Sequence, residues 1–107
     1  MKINAAFGKA LRRFRKANGL TQEDFALISS RTYLSTLERG LKSPTLDKIE
    51  ALASALEIHP LTLLTLAYHT QHPRLSAKTL QERVAREIAS LTHKHHCYAL
   101  DAIEPVF

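Results

Sequence analysis

Apolar residues recur at helical intervals along the chain, and the breaks between the runs divide it into six predicted helices. Ile3, Phe7, Leu11 and Phe14 share one face of the first, which stops at Asn18-Gly19, where glycine takes the left-handed cap conformation. Thr21 is placed to cap the second, with Gln22, Glu23 and Asp24 in its first turn and Phe25, Ala26 and Ile28 buried. Its two carboxylates then sit at the positive end of the helix dipole. Ser29 and Ser30 form a turn, and Ser30 caps a third helix whose inward positions are Leu34 and Leu37 and which Gly40 closes. Arg31, Thr32, Ser35 and Thr36 face outward on it. Thr45 caps a fourth helix carrying Leu46, Ile49, Leu52, Ala53 and Leu56 on one stripe, and Pro60 suits the first turn of a fifth, 61 to about 68. In that fifth helix Leu61, Leu63, Leu64 and Leu66 read as buried on more than one side.

The pattern changes after residue 69, where proline and polar residues predict a linker at 70–75. Beyond it Ser76 starts a sixth helix, with Leu80, Val84, Ile88 and Leu91 on a narrow stripe among charged residues. Such a stripe needs a partner, either the preceding helices or the same helix of another subunit. Tyr98, Leu100, Ile103, Val106 and Phe107 are too apolar for a solvated tail, and residues 99–107 are expected to dock on their own domain or on a sister subunit. The expected organisation is all-α: five helices in 1–69, a linker, and a C-terminal helix with an apolar tail in 76–107 that serves dimerisation or a partner.

Composition narrows the function classes. With 107 residues and 45% apolar content, the chain can bury one modest core. Its net charge of +5 is uneven, because Lys2, Lys9, Arg12, Arg13, Arg15 and Lys16 all precede the first acid, Glu23. A basic face of this kind invites phosphate, although a helix also solvates its outer face with such residues. One cysteine, Cys97, makes no internal disulfide, which fits a reducing compartment. The longest apolar stretch, 61–68, is far shorter than the ~18 residues of a membrane span, and the basic N-terminus is unlike a signal peptide. A cytoplasmic protein with no membrane partner is expected. No phosphate-cradling glycine loop and no catalytic grouping of Ser, His and carboxylate is present in the sequence, so no enzyme and no cofactor are expected. His93, His96 and Cys97 share a face if the sixth helix reaches them, and imidazole with thiolate suits zinc or copper. The competing reading is a polar helix terminus, whose protonated imidazoles favour the negative end of the dipole, and no metal is expected.

Three segments then carry a family resemblance: LRRFRKANGLTQ (Leu11 to Gln22), RTYLSTLERG (Arg31 to Gly40) and SPTLDKIEALASALEI (Ser43 to Ile58). In this order they resemble the Xre or lambda-repressor-like helix-turn-helix family of transcriptional regulators. The resemblance covers residues 7–64 and implies a five-helix domain that binds double-stranded DNA. It implies that Arg31, Thr32, Ser35 and Thr36 lie against bases in the major groove, with Arg31 the foremost reader through its bidentate fork. Gln22 would contact a phosphate and brace the next helix; Arg39, Lys42 and Ser43 would hold the backbone. Tyr33 would contact sugar or phosphate, or else pack along the rim. Arg15 and Glu38 would form a structural pair, with phosphate contact as the alternative for Arg15. One departure stands out: Ala26 and Leu34 lie two residues closer together than in the family pattern, and the turn lacks glycine. A second helix cut by half a turn, bending at Ser29-Ser30, is the expected consequence.

The sequence therefore supports a sequence-specific regulator, expected to be a repressor, that binds a short palindromic operator as a homodimer. The alternatives are an antitoxin-like protein gripping another protein through residues 74–107, and a metal or redox sensor built on the His93 to Cys97 cluster.

Overall fold

The computed structural model describes the backbone of residues 1–94 and the side chains of residues 1–91. Five α-helices and one 3-10 turn, with no strand, make up the described residues: α1 (Ile3–Ala17), the 3-10 turn Gln22–Phe25, α2 (Arg31–Glu38), α3 (Leu46–Ala55), α4 (Pro60–Gln71) and α5 (Ala77–Lys94). The described residues are all-α, as the periodicity predicts. It divides between Arg74 and Leu75 into two units.

In the first unit α1 packs against α2 and α4, and α3 against α4. Leu11, Phe25, Leu34, Leu37, Leu52, Leu56 and Leu63 are its largest fully buried side chains. Each such Leu or Phe contributes about 1.5 to 3 kcal/mol by leaving water. The helix starts follow from capping chemistry. The Ser30 hydroxyl accepts the Tyr33 N–H at 3.1 Å, the Thr45 hydroxyl accepts the Lys48 N–H at 3.1 Å, and His59 Nδ1 accepts the Leu61 N–H at 3.0 Å ahead of α4.

Beyond the end of α3, Glu57 occupies the left-handed region at φ 59°, where its N–H reaches the Ser54 carbonyl at 3.0 Å. A side chain there crowds the following carbonyl, and glycine is the usual occupant. Glu57→Gly is expected to raise folding stability by about 0.5 to 1 kcal/mol, the relief of that crowding being partly offset by the freer unfolded chain. Urea denaturation of both forms measures it, and a loss of stability contradicts it.

Several sequence expectations are corrected. The second helix is a single 3-10 turn, closed by Asp24 N–H to Thr21 O at 3.2 Å and Ala26 N–H to Glu23 O at 3.0 Å. Between the extended backbone of Thr21 and that of Ser30 the chain closes i→i+3 bonds, the last of them Ile28 N–H to Phe25 O at 2.9 Å. Phe25 is buried, but Ala26 is exposed and Ile28 only half-buried. Leu46 is 80% exposed and Leu61 52% exposed, because each lies in the first turn of its helix, off the end of the core. In α4 the buried positions are Leu63 and Ala67, one turn apart, with Leu64 and Leu66 flanking the core. The expected linker also starts too early. Helix α4 continues through Thr70 and Gln71, where the Thr70 hydroxyl donates to Leu66 O at 2.7 Å and the Gln71 amide to Met1 O at 3.2 Å. These bonds give the polar residues partners that sequence patterning does not weigh.

The second unit contains α5. The Ser76 hydroxyl accepts the Thr79 N–H at 3.1 Å at its start, and Arg83 meets Glu87 at 3.5 Å one turn apart. Val84 and Leu91 of the predicted stripe are each 50% exposed. The side chains of His93, His96 and Cys97 and the apolar tail lie outside the described residues. Among the described residues no His, Cys, Asp and Glu group is placed to hold a metal, and no single helix is long and apolar enough to cross a membrane.

Candidate nucleic-acid interface

Helix α2 is short, and its orientation is set from outside. At its C-terminal end Arg15 of α1 donates through Nε to Glu38 Oε2 at 2.6 Å and through Nη2 to Oε1 at 3.0 Å, a bidentate pair with side-chain exposures of 10% and 5%. Arg15 Nη1 goes on to the Leu20 carbonyl at 2.9 Å, and the Gln22 amide donates to Glu38 Oε1 at 3.2 Å. One carboxylate thus ties α1, the segment after it and the 3-10 turn to α2. The hydrogen bond that Arg15 donates to Glu38 raises the Arg15 pKa above its ordinary value, burial works against it, and the charge of Glu38 adds to the rise. Three donors of the charged guanidinium are thus taken up by the scaffold.

At the other end, Arg31 Nη1 donates to Glu23 Oε1 at 3.1 Å across an exposed gap. Arg31 and Thr32 are exposed, while Ser35 and Thr36 are half-buried. Thr36 gives its hydroxyl proton to the Thr32 carbonyl at 2.7 Å, so that donor is taken up within α2. These four side chains line one open depression together with Gln22 and Arg39. A second depression adjoins it, lined by Arg12, Arg15, Gln22, Ser35, Glu38 and Arg39. Since Arg15 and Glu38 neutralise each other there, the net charge it presents comes from Arg12 and Arg39.

Tyr33 packs partly against the core, with Lys42 Nζ 5.8 Å and Lys48 Nζ 5.4 Å from its ring centroid. Lys48 also donates to the Ile28 carbonyl at 2.7 Å, fastening α3 to the turn before α2. Lys42 and Ser43 are exposed on the loop that follows α2. Of the sequence-derived candidates, Gln22, Arg31, Thr32, Ser35, Thr36 and Arg39 are brought together, Tyr33 and Lys42 form a second group, and Ser43 stands apart from both. Arg12, part of the basic run that the sequence marks for phosphate, lies on this surface, whereas sequence reasoning missed Glu23 and Lys48 as members of it. Glu23 reads in sequence as a dipole partner of its own helix, and Lys48 as one more polar position of an amphipathic helix; only their spacing from α2 reveals more.

Residues 11–63 match the helix-turn-helix family. Over 67 residues the chain is 39% identical to the HTH-type transcriptional regulator y4dJ of Sinorhizobium fredii, covering 61% of this chain and 87% of that relative. It is 37% identical over 65 residues to the control protein C.BamHI of Bacillus amyloliquefaciens, covering 58% of this chain and 80% of the other. Among solved structures, the restriction-modification controller protein C.AhdI from Aeromonas hydrophila superposes with a TM-score of 0.53 at 41% identity, covering 55% of this chain and 92% of its own.

Proposed function

Because this chain belongs to the Xre-like helix-turn-helix family of DNA-binding transcriptional regulators, we propose that it binds a short palindromic operator as a homodimer and represses transcription there. Two of its relatives are named for control, one of them of a restriction-modification system, and the regulatory role is extended from them to this chain. The observation that carries the reading is the open polar face of α2. Arg31, Thr32, Ser35 and Thr36 line it beside Gln22 and Arg39, on a helix whose C-terminal end is held by the Arg15–Glu38 pair. In this reading Arg31 reads a guanine through its O6 and N7, Thr32, Ser35 and Thr36 meet neighbouring base edges, and Gln22, Tyr33, Arg39, Lys42 and Ser43 hold the backbone. Two copies would set their α2 helices about 34 Å apart on successive faces of the major groove, with residues 76–107 joining the copies or holding a partner. The protein performs no catalysis, stays in the cytoplasm and needs no cofactor.

Selection from a random duplex pool at fixed salt tests the proposal. An enriched palindrome carrying two chains per duplex by sedimentation supports it, whereas salt-sensitive binding with no consensus refutes sequence reading. On the enriched duplex, Arg31→Ala is expected to cost about 1 to 3 kcal/mol and to relax preference at one base pair per half-site. Arg39→Ala is expected to weaken all duplexes alike and to lower the salt slope by about 1. Binding titrations on single-base-pair variants separate the two outcomes.

A further inference from the structure

The ion pair between Glu23 and Arg31 has little to offer the fold. Both side chains are exposed, at 72% and 71%, and pairs of this kind add little stability in water. Its position is more informative. Glu23 sits on the 3-10 turn, whose start is fixed by the Asp24 carboxylate accepting the Thr21 N–H at 2.6 Å. Its neighbour Gln22 reaches Glu38, so consecutive residues of one turn touch α2 at Arg31 and Glu38. Those two positions are about two helical turns apart and share a face.

We propose that Glu23 is a positioning residue that determines specificity: it holds the Arg31 guanidinium by Nη1 so that the Nε–Nη2 edge meets a guanine, and it withholds the Arg31 charge from indiscriminate phosphate contact. The inference rests on the reading of α2 as the base-contacting helix. The guanidinium is a rigid planar fork, and the single bond from Nη1 leaves Nε and Nη2 without a hydrogen-bond partner among the described residues. Those two donors lie side by side at the spacing of guanine O6 and N7. Anchoring the far corner of the fork limits the rotamers that binding must freeze, which favours the correctly placed base. The carboxylate also opposes the approach of any phosphate to Arg31, a penalty that a guanine in register offsets and a random duplex does not. Specificity is the difference between those two affinities.

The test uses the full chain, the duplex it enriches from a random pool, single-base-pair variants of that duplex and a scrambled duplex of the same length, each titrated across a salt series. Glu23→Gln keeps the shape of the side chain and removes its charge. It is expected to bind the scrambled duplex about three- to fivefold more tightly, with a salt slope steeper by about 1, and to lose discrimination at the Arg31 base pair by a similar factor. With Arg31→Ala already present, Glu23→Gln is expected to change discrimination no further. Parental discrimination and salt slope in Glu23→Gln would overturn the role of Glu23, and so would an equal gain in affinity with and without Arg31, which marks simple repulsion of phosphate by the carboxylate. In both of those cases a loss of preference in Arg31→Ala leaves the reading of α2 standing; full preference retained by Arg31→Ala overturns both. Thermal melting controls for the fold, and a parental midpoint is expected because both side chains are exposed.

Discussion

Glu38→Ala is expected to remove about 3 to 5 kcal/mol of folding stability, the cost of leaving one member of a buried ion pair uncompensated. Against the roughly 5 to 15 kcal/mol that holds a small domain together, that is a large share, and at the lower end of the range it leaves a substantial unfolded fraction. The geometry explains why the loss is this large. Glu38 accepts from Arg15 Nε and Nη2 and from the Gln22 amide, so its removal strands three donors at once, two of them on a guanidinium that cannot shed its charge. Arg15→Ala is expected to cost somewhat less, because the carboxylate it leaves behind keeps the Gln22 amide as a donor. The two changes share one interaction, so Arg15→Ala with Glu38→Ala is expected to cost less than their sum. Urea denaturation of the four forms, analysed as a double-mutant cycle, measures the coupling. Strict additivity would show that Arg15 works elsewhere, on phosphate for instance, and that the pair does not hold α2.

Gly8→Ala carries the second large effect, and its sign is the informative part. By helix propensity alone, alanine inside α1 should stabilise the chain by about 1 kcal/mol. The surroundings forbid it. A Cβ at position 8 would lie 2.5 Å from the carbonyl oxygens of both Leu37 and Glu38 and 2.8 Å from the Glu38 carbonyl carbon. All three atoms are backbone at the end of α2, where Gly40 N–H already holds the Leu37 carbonyl at 3.0 Å, and none can rotate away as a side chain would. Relief requires α1 and α2 to separate, which pulls Arg15 from Glu38 as well. The expected result is a net loss of about 2 to 3 kcal/mol, near the upper end of what overpacking usually costs. Chemical denaturation with a circular dichroism readout checks it, and a gain in stability would show that the two helices do not approach this closely. Gly40, at φ 74° and with a Cβ position 2.7 Å from Ala5 Cα, is barred to other residues at the same crossing.

The helices themselves were legible because each carries its own signal. Ser30, Thr45 and Ser76 act as caps, Gly19 and Gly40 take the left-handed conformation beyond helix ends, and Leu34, Leu37, Ile49, Leu52 and Leu56 fall on buried stripes. Where expectation failed, the deciding contact came from elsewhere in the chain. Periodicity places Leu46 and Leu61 on apolar faces, yet it carries no information on where the core ends. The missing two residues before α2 signalled a shortened helix, but the tightening to a 3-10 turn at Gln22–Phe25 carried no signal in the residue pattern. The same division runs through the candidate interface. Residue types and spacing on α2 nominate Arg31, Thr32, Ser35 and Thr36, whereas Glu23 and Lys48 enter only because the folded chain brings them to Arg31 and to Tyr33.

What the amino-acid sequence determined unaided was local: the helices of the described residues, the caps that start them, and a basic N-terminal segment ahead of the polar face of α2. These depend on interactions within a turn or two, which the linear order records. The direction in which α2 presents that face was decided only in three dimensions, by Glu38 held between Arg15 and Gln22 and by the close crossing of α1 over the end of α2 at Gly8. The physical reason is range. A bidentate bond and a backbone contact between residues 23 or more positions apart have no periodic signature along the chain, yet at this distance they outweigh every local preference of an eight-residue helix.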